Sequence, residues 1–180
     1  RAGAEVCFIA NVGMDHNGDD AIEALKKQGV EVRLVKKDKD LPTGTATIVV
    51  NPQGENCIVV VPGANSSLTP QDIIQFEHEF SHFDMMLLQL ECPIETVITA
   101  ASLAQNNGIK VILNPAPAQN FSTELLEHIN IITPNRVEFD PRLFRIQNFR
   151  HLLLVGNRIL FNFLPREWRP SCTLSTGITD

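Results

Sequence analysis

Short apolar runs alternate along this chain with segments that have helix-forming patterns, and the connections between them are short. Parallel strands need a crossover connection, for which a helix is the usual solution, so the alternation predicts an α/β fold: a layered parallel sheet with helices on both faces. The predicted strands cover residues 6–11, 30–35, 84–90, 111–114 and 129–133. The predicted helices run from about residue 17 to Gly29, from Thr69-Pro70 onward, over 93–107 and over 122–128.

The segment 43–62 interrupts this alternation. Two β-branched runs flank residues 51–54 (Asn-Pro-Gln-Gly), which form a strong turn signal, so the segment predicts a small separate β-hairpin. The small residues Gly63, Ala64 and Asn65 follow at once, and such a turn lets the backbone approach a ligand closely.

The composition is that of a soluble globular protein. Hydrophobic residues make up 43% and charged residues 20% of the chain, and no apolar run approaches the roughly 20 residues of a membrane helix. The four cysteines have no C-x-x-C spacing, which favours reduced, buried thiols and a cytoplasmic location. They are Cys7, Cys57, Cys92 and Cys172.

The net charge of -6 divides unevenly, into -10 over residues 1–140 and +4 over residues 141–180. A basic tail can be a nucleic-acid arm, but here the arginines are interleaved with Leu, Ile and Phe without a clear period. We interpret residues 139–180 as an unrelated tail of different coding origin and not as a domain or a nucleic-acid site. The alternative is a divergent tail that packs on the sheet.

Polar side chains follow three of the predicted strands. Glu91, Asn114 and Asn135 each come just after a strand, at the carboxyl edge where open α/β sheets bind ligands. A carboxylate at this edge can accept hydrogen bonds from sugar hydroxyls, although Glu91 could equally cap the next helix. Together the three residues predict a site.

The string HEFSH at 78–82 fits the H-E-x-x-H signature of zinc proteases. The apolar face of its helix places His78 and His82 on a different, solvated side, and no third ligand is evident. We interpret the segment as a surface helix. The residues that mark the apolar face are Ile73, Phe76, Phe80 and Phe83.

Several of these segments, in this order and spacing, resemble the phosphofructokinase B (PfkB) carbohydrate kinase family and, within it, the ribokinases. The segments are NVGMDHNGDDAIEALKKQGV, TGTATIVVNPQGENCIVVVPGAN, LQLECP, LNPAPA and ITPNRVE. The resemblance covers about residues 1–138, as one partial domain that is incomplete at both ends.

The resemblance implies a ribokinase-like, Rossmann-like sheet with a small β lid, here the hairpin at about 43–62. It implies ATP-dependent phosphorylation of D-ribose at its 5-hydroxyl with Mg²⁺, and a possible homodimer through the lid, without nucleic-acid or membrane partners. By position, Ala46 and Ile48 correspond to lid residues on ribose, and Glu91 to the carboxylate that holds sugar hydroxyls. Asn135 corresponds to a nucleotide-phosphate residue, and Glu138 to one that organises Mg²⁺ through its waters.

The family's catalytic base lies in a G-A-G-D motif, and these 180 residues contain no such motif. We therefore assign no catalytic residue and expect this stretch by itself to be inactive, without the family's monovalent-cation site. Two alternatives remain open: another PfkB kinase acting on a nucleoside, fructose or keto-deoxy-gluconate, and a non-catalytic dimerisation or interaction module. The matches around the hairpin and LNPAPA favour ribose.

Overall fold

A computed structural model describes residues 3–120, 122–135 and 138, together with the backbone of two strands at 151–155 and 158–162. The strands are β1 Ala10–Gly13, β2 Val35–Asp38, β3 Thr45–Val50, β4 Asn56–Val61, β5 Met85–Leu88, β6 Lys110–Leu113, β7 Ile131–Ile132, β8 His151–Val155 and β9 Arg158–Asn162. The helices are α1 His16–Lys27, α2 Pro70–Gln75, α3 Glu77–Phe80, α4 Ile94–Asn106 and α5 Thr123–Glu127, with a 3₁₀ helix at Gly63–Ser67.

The described strands form three sheets. β1 pairs with β2 in parallel, β3 pairs with β4 in antiparallel, and the third sheet has the order β5-β6-β7-β9-β8. Within the third sheet β5, β6 and β7 are parallel, and β9 and β8 extend it in antiparallel. The predicted α/β fold is confirmed, and the boundary predicted at residue 138 stays a prediction.

Helix boundaries follow the local signals closely. Asp15 is the N-cap of α1, and Gly29 beyond its end has φ +79°, the left-handed geometry that glycine adopts without strain. At α2, Thr69 and Asp72 form a reciprocal capping box with Pro70 at the first helical position. The sequence predicted both Gly29 and the Thr69-Pro70 start.

The first two strands lie later than predicted. β1 begins at Ala10 where we expected residue 6, and β2 begins at Val35 where we expected residue 30. Of the residues that were predicted as strand ahead of β1 and β2, Cys7 and Glu31 form an isolated bridge and not a longer ladder. β2 pairs on one side, and its two lysines instead reach acids on neighbouring helices, Lys36 to Asp72 and Lys37 to Asp19.

The main core lies between β6, β7 and the helices α2 to α5. Leu113 and Ile132 of the strands and Phe80 and Leu125 of the helices are almost completely buried. Thr96 of α4 is buried among them, and its hydroxyl donates to the Leu68 carbonyl at 2.7 Å. This bond joins α4 to the segment that follows the hairpin.

The hairpin β3–β4 has the predicted turn. Asn51 Oδ1 accepts hydrogen bonds from the Gln53 and Glu55 amides, and Gly54 has φ +82°. All residues of both strands are exposed, so the hairpin projects from the rest of the described chain.

Cys57 lies on the exposed strand β4, so the prediction that the thiols are buried is wrong for this residue. Cys7 and Cys92 are partly buried, and burial raises the pKa of both thiols. Among the described residues no helix is long and apolar enough to cross a bilayer. The cytoplasmic location stays a prediction.

Candidate functional site

The three predicted strand-end residues follow neighbouring parallel strands. Leu88 pairs with Leu113 and Leu113 with Ile132, so β5, β6 and β7 end side by side. Asn114 directly follows β6, while Glu91 and Asn135 come three residues after β5 and β7. The sheet therefore brings these three positions to one edge, as the sequence predicted.

The backbone beside Glu91 is held by the loop that follows β6. The Leu90 amide donates to the Ala116 carbonyl at 2.9 Å, and Gln119 Nε2 donates to the Leu90 carbonyl at the same distance. The peptide between Ala116 and Pro117 is cis. Glu91 is exposed, so its carboxylate is accessible to a ligand.

Asn135 and Glu138 form a closed hydrogen-bonded pair. The Asn135 amide donates to Glu138 Oε2 at 2.7 Å and Asn135 Nδ2 donates to Oε1 at 2.6 Å, while the Glu138 amide donates to Asn135 Oδ1 at 2.8 Å. Glu138 is only 9% exposed. The pair fixes the buried carboxylate in one orientation at the end of β7.

Ala46 and Ile48 lie on the hairpin and not on the sheet edge. They are two residues apart on β3, so they share one face of the hairpin with their cross-strand partners Val60 and Ile58. Ile48 is 57% exposed. The face of the hairpin that carries Ala46 and Ile48 is therefore open in this structure.

Sequence reasoning missed a polar junction at the base of the hairpin. Asp15 Oδ2 accepts from the Thr43 amide at 2.8 Å, and Asp15 Oδ1 accepts from the Thr43 hydroxyl at 2.6 Å. These bonds, the side-chain bond foremost, hold the pKa of Asp15 below its ordinary value. The pattern Gly-Met-Asp-His-Asn-Gly at 13–18 marks Asp15 as a helix cap, but no local signal points to Thr43.

The H-E-x-x-H string has a different arrangement from the zinc signature. Helix α3 ends at Phe80, so His78 lies within the helix and His82 lies beyond its end. Glu79 is paired with Arg33 in a two-pronged ion pair, one arm of which is 2.7 Å long. The hydrogen bond from Arg33 lowers the pKa of Glu79. In the described part of the chain, no group of three or more His, Cys, Asp or Glu side chains is placed to hold a metal.

The family model described as "pfkB family carbohydrate kinase" matches residues 1–145 of this chain. A ribokinase from Haemophilus influenzae is 43% identical over 138 residues, which are 77% of this chain and 45% of that protein. A deoxyribokinase from Salmonella typhimurium is 31% identical over 141 residues, 78% of this chain and 46% of that protein. The structure of Arabidopsis thaliana ribokinase complexed with ribose and ATP has a TM-score of 0.67 and 29% identity, covering 78% of this chain and 46% of that one.

The chain therefore spans less than half the length of the relatives it matches. The match covers the hairpin, the three strand ends and the Asn135–Glu138 pair. This family match agrees with the parallel sheet and with the ribokinase-like fold of the solved relatives. The chain belongs to the pfkB family of carbohydrate kinases.

Proposed function

We propose that this chain contributes the hairpin and strand-end parts of the substrate site in a ribokinase-like enzyme that phosphorylates D-ribose with ATP. The observation that carries the proposal is the meeting of Glu91, Asn114 and Asn135 at one sheet edge. Glu91 accepts hydrogen bonds from ribose hydroxyls, and Ala46 and Ile48 supply an apolar cover. A carboxylate suits vicinal hydroxyls because it is an acceptor with two oxygens and about four lone-pair sites.

The residues fit an indirect role toward magnesium. Both Glu138 oxygens already accept a bond from Asn135, but each carboxylate oxygen has a second lone pair for a water of a hydrated ion. Mg²⁺ keeps several waters and is bound through one or two carboxylates and substrate phosphates. When bound, the ion neutralises charge on the phosphates of ATP. Asn135 and Glu138 hold this end of β7 in place for the nucleotide.

Phosphoryl transfer also needs a group that accepts the proton of the sugar hydroxyl. No residue of this chain is assigned that role, so the 180 residues alone are expected to give no ribose-dependent ADP in a coupled assay with ATP and Mg²⁺. A rate that depends on ribose would show that a base lies within this stretch and would overturn that part of the proposal.

Sugar binding is tested by equilibrium dialysis of the chain with labelled ribose, in competition with 2-deoxyribose and fructose. We expect ribose to compete best, and Glu91→Gln to weaken binding about tenfold or more, because hydrogen bonds to a charged group contribute about 1.5–3 kcal/mol. Glu95→Gln is the matched control, an exposed acid in the first turn of α4. An equal loss of ribose binding in Glu91→Gln and Glu95→Gln would contradict the role of Glu91. Stronger competition by fructose than by ribose would contradict the assignment to ribose.

A second role, self-association through the hairpin, is favoured by the hairpin's other face. Thr47 and Val49 of β3 share that face with Val59 and Cys57 of β4, and Val49 and Val59 are each 61% exposed. An exposed apolar two-stranded ribbon is a favourable surface for pairing with another copy. Sedimentation should show twice the 20.0 kDa mass, and Val59→Lys should return the chain to a monomer. A monomeric unmodified chain would contradict this role.

A further inference from the structure

We propose that Asp15 is a positioning residue of the sugar site: acting through Thr43, its carboxylate fixes the direction of the hairpin and so the place of Ala46 and Ile48. The inference rests on the proposed function, because only that function brings these two hairpin residues to a sugar. The anchoring itself can be measured without any ligand.

Within the part of the chain that the structure describes, the hairpin has little packing that could fix its direction. Every residue of β3 and β4 is exposed, with Ile48 at 57% and Val59 at 61%. Side chains that bury little area against the rest of a protein contribute little to holding a two-stranded ribbon at one angle. Its direction therefore depends on the two chain segments at its base, residues 41–44 and 62–65.

Asp15 holds the first of these segments. Its two carboxylate oxygens accept from the amide and the hydroxyl of Thr43, and the same hydroxyl accepts from the Gly13 amide at 2.9 Å. Asp15 is itself fixed, because Oδ1 also accepts from the Gly18 amide at 2.8 Å as the cap of α1. Three hydrogen bonds thus join one residue at the start of the hairpin to β1 and α1.

The second segment is tied to the first. The Ala64 amide donates to the Pro42 carbonyl at 2.8 Å. A Cβ on Gly63, whose φ is +53°, would lie 2.3 Å from the same carbonyl oxygen, and one on Gly13 would lie 2.4 Å from the Thr43 nitrogen. The backbones meet this closely because the residues are glycines. Neither segment can shift alone, so the Thr43 bonds control both strands.

The geometry also explains why this N-cap position requires aspartate and not asparagine. Asparagine caps helices as well as aspartate does, but its side chain has one acceptor oxygen and one donor nitrogen. If the oxygen faces the Gly18 amide and the Thr43 hydroxyl, the nitrogen faces the Thr43 amide, and two donors meet. Asp15→Asn should therefore keep the α1 cap but replace the bond from the Thr43 amide with a repulsion between two donors, which loosens the hairpin anchor.

The test is the measurement of residual dipolar couplings of backbone amides in the full chain without sugar, for the hairpin and for the sheet β5-β6-β7. In the unmodified chain one alignment tensor should fit both. In Asp15→Asn the hairpin order parameter should fall from about 0.85 to below about 0.6, the range of flexible segments, with the sheet unchanged. Asp20→Asn is the control, an exposed carboxylate of α1 that pairs only locally with His16 at 3.4 Å.

The positioning role would be overturned if the hairpin couplings stayed unchanged in Asp15→Asn. It would also be overturned if the order parameter of the sheet fell as much as that of the hairpin. If Asp15→Asn does not fold, two variants of Thr43 replace it. Thr43→Val, which lacks the hydroxyl, must lower the hairpin order parameter, and Thr43→Ser, which keeps the hydroxyl, must leave it near that of the unmodified chain. Any other result overturns the proposal. Ribose dialysis then separates the two claims. Absence of ribose binding in the unmodified chain counts against the proposed function, while the hairpin couplings still decide whether Asp15 is the anchor.

Discussion

Thr96→Val is predicted to destabilise the chain by about 1–3 kcal/mol, the usual cost of leaving a buried polar group without its partner. Thr96 is 1% exposed and its hydroxyl donates to the carbonyl of Leu68, which is itself 4% exposed. Valine keeps the branched shape but replaces the hydroxyl with a methyl group. The bond matters for the site because it connects α4, which follows Glu91, to the segment that leaves the hairpin.

Thr99→Val provides the matched control on the same helix. The Thr99 hydroxyl donates to the Glu95 carbonyl at 2.8 Å, a group that the helix ladder also satisfies, so its loss should change stability by less than about 0.5 kcal/mol. For a chain of this size 1 kcal/mol corresponds to about 2–4 °C in Tm. Thermal unfolding followed by circular dichroism should therefore separate the two variants by several degrees. Equal Tm values for both would refute this account of the buried bond.

Three further outcomes are expected. Leu113→Ala removes a fully buried side chain before Asn114 and should lower the free energy of unfolding by about 2–5 kcal/mol in urea titrations. Gly63→Ala should lower Tm more than Gly54→Ala, because both have positive φ but only Gly63 meets backbone atoms. Burial raises the pKa of Asp72, yet its bonds from Lys36 and the Thr69 backbone and hydroxyl outweigh this and leave the pKa below its ordinary value. The ionised Asp72 therefore stabilises the fold fully above about pH 3.9, the pKa of an unfolded Asp, and this stabilisation is lost as the pH falls through the lower folded pKa. In Asp72→Asn the free energy of unfolding should decrease less steeply over this acidic range.

Local patterns predicted where α1, α2, α4 and α5 begin, the turn at residues 51–54 and the strands that end beside Glu91 and Asn114. These features depend on neighbours a few residues away. Hydrophobic periodicity indicates the strands and helices, and polar residues such as those of the Thr69–Asp72 capping box indicate where a helix begins. The single helix expected over residues 73–83 is instead divided at Phe76 into α2 and α3. The shared strand edge followed because parallel strands must align their carboxyl ends. The strand-end pattern also indicated Glu91, Asn114 and Asn135, whereas Ala46, Ile48, Glu138 and the role of each residue were inferred from the family resemblance.

Long-range pairings were not predictable from such patterns. β2 carries Lys36 and Lys37 at its centre, so apolar patterning placed the strand too early, and only the partner strand β1 decides its register. The bonds from Asp15 to Thr43 span 28 residues, and the Arg33–Glu79 pair spans 46. Polar side chains of this kind have many possible partners in a sequence, and the fold selects one.

NMR titration of the ¹⁵N-labelled chain with ribose maps the sugar site directly. We expect amide shifts to appear together at the strand-end residues Glu91 and Asn114 and on the hairpin face of Ala46 and Ile48. In Glu91→Gln the ribose concentration at half-saturation should rise about tenfold or more for both sets. Shifts confined to other parts of the chain, or shifts that persist unchanged in Glu91→Gln, would contradict a sugar site built from the hairpin and the carboxyl edge of the sheet.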